Sequence, residues 1–278
     1  MTADLHLHST YSDGSYTPRE LIKEAANLNI NPVAITDHDT VEGIEPGLRA
    51  AKDFDVDLIP AIEFSTFSGK AEIHILGYYI DYKNDQLLQT VEKIFNARLE
   101  RAKKMVKLLN QQDINISYDQ VKKLAGDDYV GRPHVARAMV EEGYISEIGE
   151  AFSSNYIGNG GRAYVAKYKI TPTEAIKLIK KVKGIPVLAH PYFINHGDPL
   201  SFEDIYELKQ EGLLGVEVYH SKHTAEATSQ YLKIAKELDL LITGGTDFHG
   251  ENSPEIKMGD ILLENEHIER LKSINKKI

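Results

Sequence analysis

Histidines and carboxylates recur at the ends of short apolar segments in this 278-residue chain. The residues in this pattern are His6, His8, Asp13, His38, Glu63, His74, His190, Asp247 and His249. Imidazole nitrogens and carboxylate oxygens are common ligands of divalent metals. Burying so many ionisable groups without a cation would be costly. We therefore predict that these residues are metal ligands.

The composition limits which metal this set would hold. The chain has 11 His and no Cys, which excludes disulfides, thiolate zinc fingers, iron–sulfur clusters and cysteine nucleophiles. The set is larger than one ion needs, whereas two or three divalent ions bridged by a carboxylate would use all of it. The mixed His and carboxylate donors favour Mn²⁺ first, with Fe²⁺ or Zn²⁺ as alternatives and Mg²⁺ disfavoured.

The elements that must position these residues are short apolar strands alternating with amphipathic helices, which is typical of an α/β fold with parallel strands. The predicted strands cover residues 3–8, 32–36, 57–63, 72–79, 185–190, 215–219 and 241–246, with a possible closing strand at 260–263. Capping boxes at Thr17 and Thr171 predict two helix starts. In barrels of this kind the active-site groups lie at the carboxyl ends of the strands.

The alternation stops over residues 83–169, where helical periodicity dominates. We interpret this stretch as an inserted, mostly helical cap domain, and residues 1–82 with 170–278 as the barrel. Residues 91–170 contain 13 Lys or Arg against 10 Asp or Glu, although the whole chain has a net charge of −10. A basic cap over an acidic site would favour an anionic substrate.

The overall charge and the apolar pattern also exclude some classes of partner. An acidic chain is poorly suited to coating duplex DNA by general attraction. No apolar run approaches the ~20 residues of a membrane span, and the amino terminus lacks the features of a signal peptide. We therefore expect a cytoplasmic protein with no membrane partner.

Three further residues are candidates for contacting substrate. His220 follows the sixth strand and would bind phosphate or protonate a leaving oxygen, whereas the nearby Lys222 is expected to be solvated. Arg132 and His134 lie where a helix begins, and free N–H groups at such a position bind phosphate. From local sequence alone, an ordinary helix cap with a solvated arginine is an equal alternative.

These motifs together resemble the polymerase and histidinol phosphatase (PHP) superfamily. The resemblance is carried by His6-x-His8, Thr36-Asp37-His38, Ile62-Glu63, His74-Ile75-Leu76-Gly77, Ala189-His190-Pro191 and Asp247-x-His249. It implies a distorted (β/α)7 barrel with a trinuclear metal centre. It further implies that His6, His8, Glu63 and Asp247 hold one ion and that Glu63 and His74 share a second.

One branch of that superfamily fits better than the others. Asp13 and the helical insertion resemble the stand-alone members that dephosphorylate 3′,5′-nucleoside bisphosphates and trim RNA or short oligonucleotides from the 5′ end. The resemblance implies that Arg132 and His134 are phosphate ligands. The implied partner is a nucleotide or a short single-stranded oligonucleotide carrying phosphate.

The sequence thus predicts a metal-dependent phosphoesterase. Divalent ions would lower the pKa of a bound water from its high value in bulk water to ~7. Asp247 and Glu63 would hold and orient the nucleophile, and His220 would protonate the leaving group. The alternatives are histidinol phosphatase or another small phosphomonoesterase, an amidohydrolase that cleaves C–N bonds, and a non-enzymatic metal-binding module.

Overall fold

A seven-stranded sheet organises the chain, in strand order β1 to β7. The computed structural model describes residues 2–69, 71–126, 130–194, 197–261 and 263–277. The strands are β1 (Asp4–Leu7), β2 (Val33–Ile35), β3 (Leu58–Phe67), β4 (Glu72–Tyr78), β5 (Ile185–Leu188), β6 (Gly215–His220) and β7 (Leu241–Gly245). The sheet curls until the end of β7 meets β1, where Leu7 forms a parallel bridge with Phe248. The predicted α/β barrel is therefore confirmed.

Helices lie between the strands along the chain and after the last one, and several of those in the unit that holds the sheet pack against it. They are α1 (Pro18–Asn27), α2 (Ile44–Phe54), α3 (Asp85–Asn110), α4 (Tyr118–Ala125), α5 (Arg132–Glu141), α6 (Ile148–Ala151), α7 (Pro172–Lys181), α8 (Phe202–Gln210), α9 (Ala225–Glu237) and α10 (Asn265–Asn275). Both predicted capping boxes form: Thr17 caps α1 with Glu20, and Thr171 caps α7 with Glu174. No helix in the described ranges is long and apolar enough to cross a membrane.

The prediction of uniformly parallel strands was wrong for β4, which is antiparallel to both β3 and β5. Only residues 68–71 separate β3 from β4. A parallel connection needs a crossover of a dozen or more residues, so this short link permits only a hairpin. The hairpin also extends β3 to Phe67, beyond the predicted end at Glu63, because Ser65 pairs with His74 and Phe67 with Glu72.

The predicted closing strand at 260–263 contributes one antiparallel bridge, between Leu263 and Ala3; Leu262 lies outside the described residues. Strand β1 is buried on both faces, because Leu5 belongs to one apolar cluster and Leu7 to another. Such burial holds the strand ends rigidly in place, which is what a site of converging side chains requires.

The chain divides into two compact units, Met1–Gln89 with Lys169–Ile278, and Thr90–Tyr168. The first unit contains the sheet. The second is helical and has its own apolar core, in which Met105, Leu109, Val121, Val135 and Met139 are buried.

Candidate metal centre

The carboxyl ends of the parallel strands bring the predicted ligands to one edge of the sheet. His6 lies in β1 with His8 directly after it, and Asp247 follows β7. His74 lies in the first half of β4, which would be the wrong end of a parallel strand. Because β4 runs antiparallel, its beginning lies beside the ends of its neighbours, and His74 reaches the same site.

Glu63 is the centre of this group and is completely buried. Its Oε1 lies 2.9 Å from His74 Nδ1 and 3.1 Å from His190 Nε2. Its Oε2 lies 3.1 Å from His38 Nδ1 and 3.2 Å from both His6 Nε2 and His8 Nε2. One carboxylate therefore contacts imidazoles from four different parts of the sheet, as a bridging ligand would.

Asp13 gathers a second group of imidazoles on the loop after β1. Its Oδ1 lies 3.2 Å from His249 Nε2 and 3.6 Å from His8 Nδ1, and its Oδ2 lies 3.7 Å from His38 Nε2. Burial would raise the pKa of Asp13, but the electrostatic interaction with His38 and a hydrogen bond with His249 lower it well below its usual range. The carboxylate is therefore ionised at neutral pH and available as a ligand.

Asp37 holds that loop rather than joining the group. Its Oδ1 accepts hydrogen bonds from the Ser9 N–H (2.7 Å) and the Ser12 hydroxyl (2.7 Å), and its Oδ2 accepts one from the Ser9 hydroxyl (2.6 Å). These donors occupy both oxygens, so Asp37 orders the segment that leads to Asp13.

The outward ring nitrogens show how two of the imidazoles are oriented. His249 Nδ1 lies 2.8 Å from the Asp247 carbonyl, and His190 Nδ1 lies 3.1 Å from the Phe193 carbonyl. A carbonyl only accepts hydrogen bonds, so each Nδ1 carries the proton. In the neutral rings the lone pair then lies on Nε2, which in both cases points at a carboxylate.

His6 and His74 follow the same rule with carboxylates as their outward partners. His6 Nδ1 lies 2.9 Å from Glu217 Oε1, and His74 Nε2 lies 3.3 Å from Glu72 Oε1. Glu72 also forms an ion pair with Lys169. Their inward nitrogens, Nε2 of His6 and Nδ1 of His74, both face Glu63.

This arrangement fits divalent metal ions. A lone pair facing a carboxylate oxygen is repulsive unless a proton or a cation lies between them. Burial would lower the pKa of His8, but hydrogen bonds to Asp247 and Glu63 raise it to about 10. Burial would also lower the pKa of His74, but the charge of Glu63 raises it to about 9. Protons thus balance the carboxylates in the metal-free protein, and a bound cation would displace them.

The ligating atoms cluster into groups small enough for single ions. Four sets have donor atoms within 4.8 Å of one another: His8 with Asp13, His38 and His249; His6 with His8 and Glu63; His38 with Glu63 and His74; and His6 with His220 and Asp247. The sets share members, which is typical of closely spaced ions bridged by common ligands.

His220 differs from the other imidazoles. Its Nδ1 accepts a hydrogen bond from the Lys222 backbone N–H (3.1 Å), so the proton of the neutral ring must lie on Nε2. Burial lowers the pKa of His220, which favours that neutral ring. Nε2 lies 3.5 Å from Asp247 Oδ2. The ring therefore presents an N–H to the site, where the surrounding imidazoles present lone pairs.

Arg132 and His134 lie in the helical unit, at the start of α5. The Arg132 guanidinium lies over the Phe152 ring and donates to Asn159 Oδ1 at 3.5 Å. His134 Nδ1 accepts the Gly131 N–H at 3.1 Å, which caps the helix and leaves the ring proton on Nε2. Capping uses Nδ1 of His134 and leaves Nε2–H able to donate to a phosphate. The two roles that the sequence offered as alternatives are therefore compatible for this residue.

Sequence reasoning missed three residues of the site. Glu217 contacts His6, Glu72 contacts His74, and Lys222, which is exposed as expected, has its Nζ 3.9 Å from Asp247 Oδ2. The signal for Glu217 was present, because an acidic residue inside the apolar segment Gly215–His220 must have buried partners. The other two contacts depend on the path of the chain and have no such local signal.

Known proteins share this chain's sequence and fold. The PHP domain model matches residues 4–256. A 5′-3′ exoribonuclease of Haemophilus influenzae is 36% identical over 88% of this chain and 89% of its own length. A 3′,5′-nucleoside bisphosphate phosphatase of Chromobacterium violaceum is 29% identical over 91% of this chain and 90% of its own.

A solved structure extends the comparison to three dimensions. The protein, from Bifidobacterium adolescentis, is described as a metal-dependent phosphoesterase. It is 30% identical, covers 98% of this chain and 95% of its own, and superposes with a TM-score of 0.82. The family model spans most of the chain and the resemblance seen in the motifs is confirmed, so this protein belongs to the PHP family.

Proposed function

We propose that this protein is a divalent-metal-dependent phosphoesterase that hydrolyses phosphate esters of nucleotides. Its substrates would be 3′,5′-nucleoside bisphosphates or the 5′ end of short, single-stranded RNA or DNA, as the names of its relatives suggest. The observation that carries the proposal is the set of imidazole lone pairs that converge on Glu63 and Asp13.

The centre would hold two or three ions, with Mn²⁺ preferred and Fe²⁺ or Zn²⁺ possible. His6, His8, Glu63 and Asp247 would hold the first, and Glu63, His74 and His190 the second. Asp13, His38 and His249 would hold a third. Bound divalent ions activate water and neutralise the charge that develops on a phosphoryl group.

Protein groups then supply orientation and protons. Asp247 lies between His8 and His220, with Oδ1 3.2 Å from His8 Nε2 and Oδ2 3.5 Å from His220 Nε2. We propose that Asp247 and Glu63 orient the attacking water. His220 would donate its Nε2 proton to the leaving oxygen, since a neutral ring that already accepts at Nδ1 is a donor at Nε2.

Arg132 and His134 would bind the substrate phosphate. The Arg132 guanidinium offers a bidentate pair of N–H donors to phosphate oxygens. His134, neutral because burial lowers its pKa, offers its Nε2–H. This role rests on the family resemblance and on the donors these side chains present. A cytoplasmic location remains a prediction.

A panel of phosphoesters tests the proposal. Purified protein is incubated with Mn²⁺, Zn²⁺ or EDTA and with 3′-phosphoadenosine 5′-phosphate, 5′-phosphorylated oligoribonucleotides, histidinol phosphate and amide substrates. We expect metal-dependent release of phosphate or 5′-nucleotides from the first two. Turnover of histidinol phosphate alone would favour the small phosphomonoesterase, and turnover of amides alone would favour the amidohydrolase. Absence of any turnover with metal bound would favour the binding module.

A further inference from the structure

Glu217 is a fully buried carboxylate in the middle of β6, where the neighbouring residues are apolar. Burying a carboxylate without partners is strongly unfavourable, because the charge loses its hydration. Its partners are therefore informative. Oε1 lies 2.9 Å from His6 Nδ1, and Oε2 accepts a hydrogen bond from the His190 backbone N–H at 2.8 Å.

The first contact determines which nitrogen of His6 faces the metal centre. With Oε1 accepting from Nδ1–H, the free lone pair of the neutral ring lies on Nε2. Nε2 is 3.2 Å from Glu63 Oε2 and 3.5 Å from Asp247 Oδ1. Carboxylates that accept from the outer nitrogen of a ligating histidine fix its ring orientation and make it a stronger ligand.

The second contact holds a strained piece of backbone. His190 has a φ of 27°, in the left-handed region that a residue with a Cβ rarely adopts. Glu217 Oε2 fixes the N–H of this residue, and the ring is then anchored by Nδ1 to the Phe193 carbonyl. This backbone conformation brings His190 Nε2 to 3.1 Å from Glu63 Oε1.

We infer that Glu217 is a positioning residue of the metal centre, which selects the His6 tautomer and holds the His190 backbone so that both rings present Nε2 to the ions. The inference rests on the proposed metal centre. Glu217 itself touches neither substrate nor metal in this role. It links His6 of β1 with His190, which follows β5, and it does so from strand β6.

The two contacts make the carboxylate difficult to replace with an amide. Both oxygens of Glu217 accept, whereas Gln has one acceptor oxygen and one NH₂ donor. The His190 backbone N–H is a fixed donor, so the Gln oxygen must face it. The NH₂ then faces His6 Nδ1 and requires a lone pair there, which moves the His6 proton to Nε2 and blocks the metal ligand.

The test compares Glu217→Gln with Tyr78→Phe. Tyr78 is equally buried, and its hydroxyl donates to the Leu5 carbonyl at 3.0 Å, so its loss also removes a buried hydrogen bond without touching a predicted ligand. Zn²⁺ and Mn²⁺ affinities are measured by competition with a chromogenic chelator. Loss of an outer-shell partner typically weakens metal binding about 10–100-fold. We expect that loss for Glu217→Gln, and affinity within about threefold of wild type for Tyr78→Phe.

A second readout reports the tautomer directly. In the ¹⁵N NMR spectrum of Zn²⁺-loaded wild-type protein, His6 should show a protonated Nδ1 and a metal-bound Nε2. A His6 ring bound through Nδ1, or protonated on Nε2, would overturn the inference even if Glu217→Gln does not fold. Unchanged metal affinity in a folded Glu217→Gln protein would also overturn it. Wild-type protein that binds no divalent metal would instead refute the proposed metal centre.

Discussion

Replacing Glu63 by Gln is the most direct perturbation of the proposed centre. Both oxygens of this buried carboxylate contact imidazole nitrogens, at 2.9–3.2 Å. The amide keeps the size of the side chain but removes the negative charge and one of the two acceptor oxygens. Two of the proposed ions share Glu63, so the substitution should weaken both sites together.

The size of the effect follows from mass action. A ligand present at 100 times its Kd stabilises the folded state by about 2.7 kcal/mol per site. For a chain of this size, 1 kcal/mol corresponds to roughly 2–4 °C in Tm. Each filled site should therefore raise Tm by about 5–10 °C. Glu63→Gln should lose most of this increment, because its two shared sites would stay largely empty at the same metal concentration.

The assay is thermal unfolding with EDTA and with Mn²⁺, together with elemental analysis after gel filtration. Asp37→Asn is the matched control, since Asp37 is also a buried carboxylate at this edge but is held by Ser9 and Ser12. We expect Asp37→Asn to lower the metal-free Tm while keeping the part of the metal-induced rise that comes from the two ions sharing Glu63, which do not use Asp13. A Glu63→Gln protein with normal metal content and a normal rise would refute a bridging role for Glu63.

Three other perturbations follow from the same geometry. His220→Asn keeps an acceptor for the Lys222 N–H but removes the Nε2 proton, so kcat should fall about 10²-fold or more with metal content unchanged; loss of metal would identify His220 as a ligand. Arg132→Ala should raise KM for phosphorylated substrates and leave the metal content unchanged. The control is Arg162→Ala, at an exposed arginine of the same unit, which should change neither KM nor metal content. Equal effects of the two substitutions on KM would contradict a phosphate contact by Arg132. Burial lowers the pKa of His223 from 6.5 to about 4. As the pH drops from 6.5 towards 4, the imidazole therefore binds a proton in the unfolded chain but not in the folded protein, and the free energy of unfolding decreases. Between pH 7 and pH 5 in EDTA, this difference in pKa should lower the free energy of unfolding of the wild type by about 2 kcal/mol. In urea unfolding, His223→Asn should show a decrease that is smaller by this amount.

Local patterns were sufficient for much of the fold. The capping boxes at Thr17 and Thr171 were predicted because a cap involves only residues three positions apart. The strands were predicted because burial on both faces leaves an unbroken apolar run. The direction of β4 was not predicted from that run, since apolar runs look alike in parallel and antiparallel strands and only the short link after β3 decides between them.

The candidate metal centre was likewise predictable from the sequence only in part. The predicted ligands His6, His8 and Asp247 stand at strand ends, and parallel strands bring their ends to one edge, so their proximity followed from the sequence. Which nitrogen each ring turns inward did not follow. Glu217 orients His6 from 211 positions away, through a contact that exists only because the sheet closes from β7 to β1.

The sequence by itself determined the chemistry of this protein: histidines and carboxylates in place of cysteines, spaced so that strands would gather them. The tertiary structure alone decided what each ring does there. His6 presents a lone pair because a carboxylate lies behind it, and His220 presents a proton because the Lys222 N–H lies behind it. A neutral imidazole can present either a lone pair or an N–H to the site. Which of the two it presents depends on a hydrogen-bond partner that only the folded chain supplies.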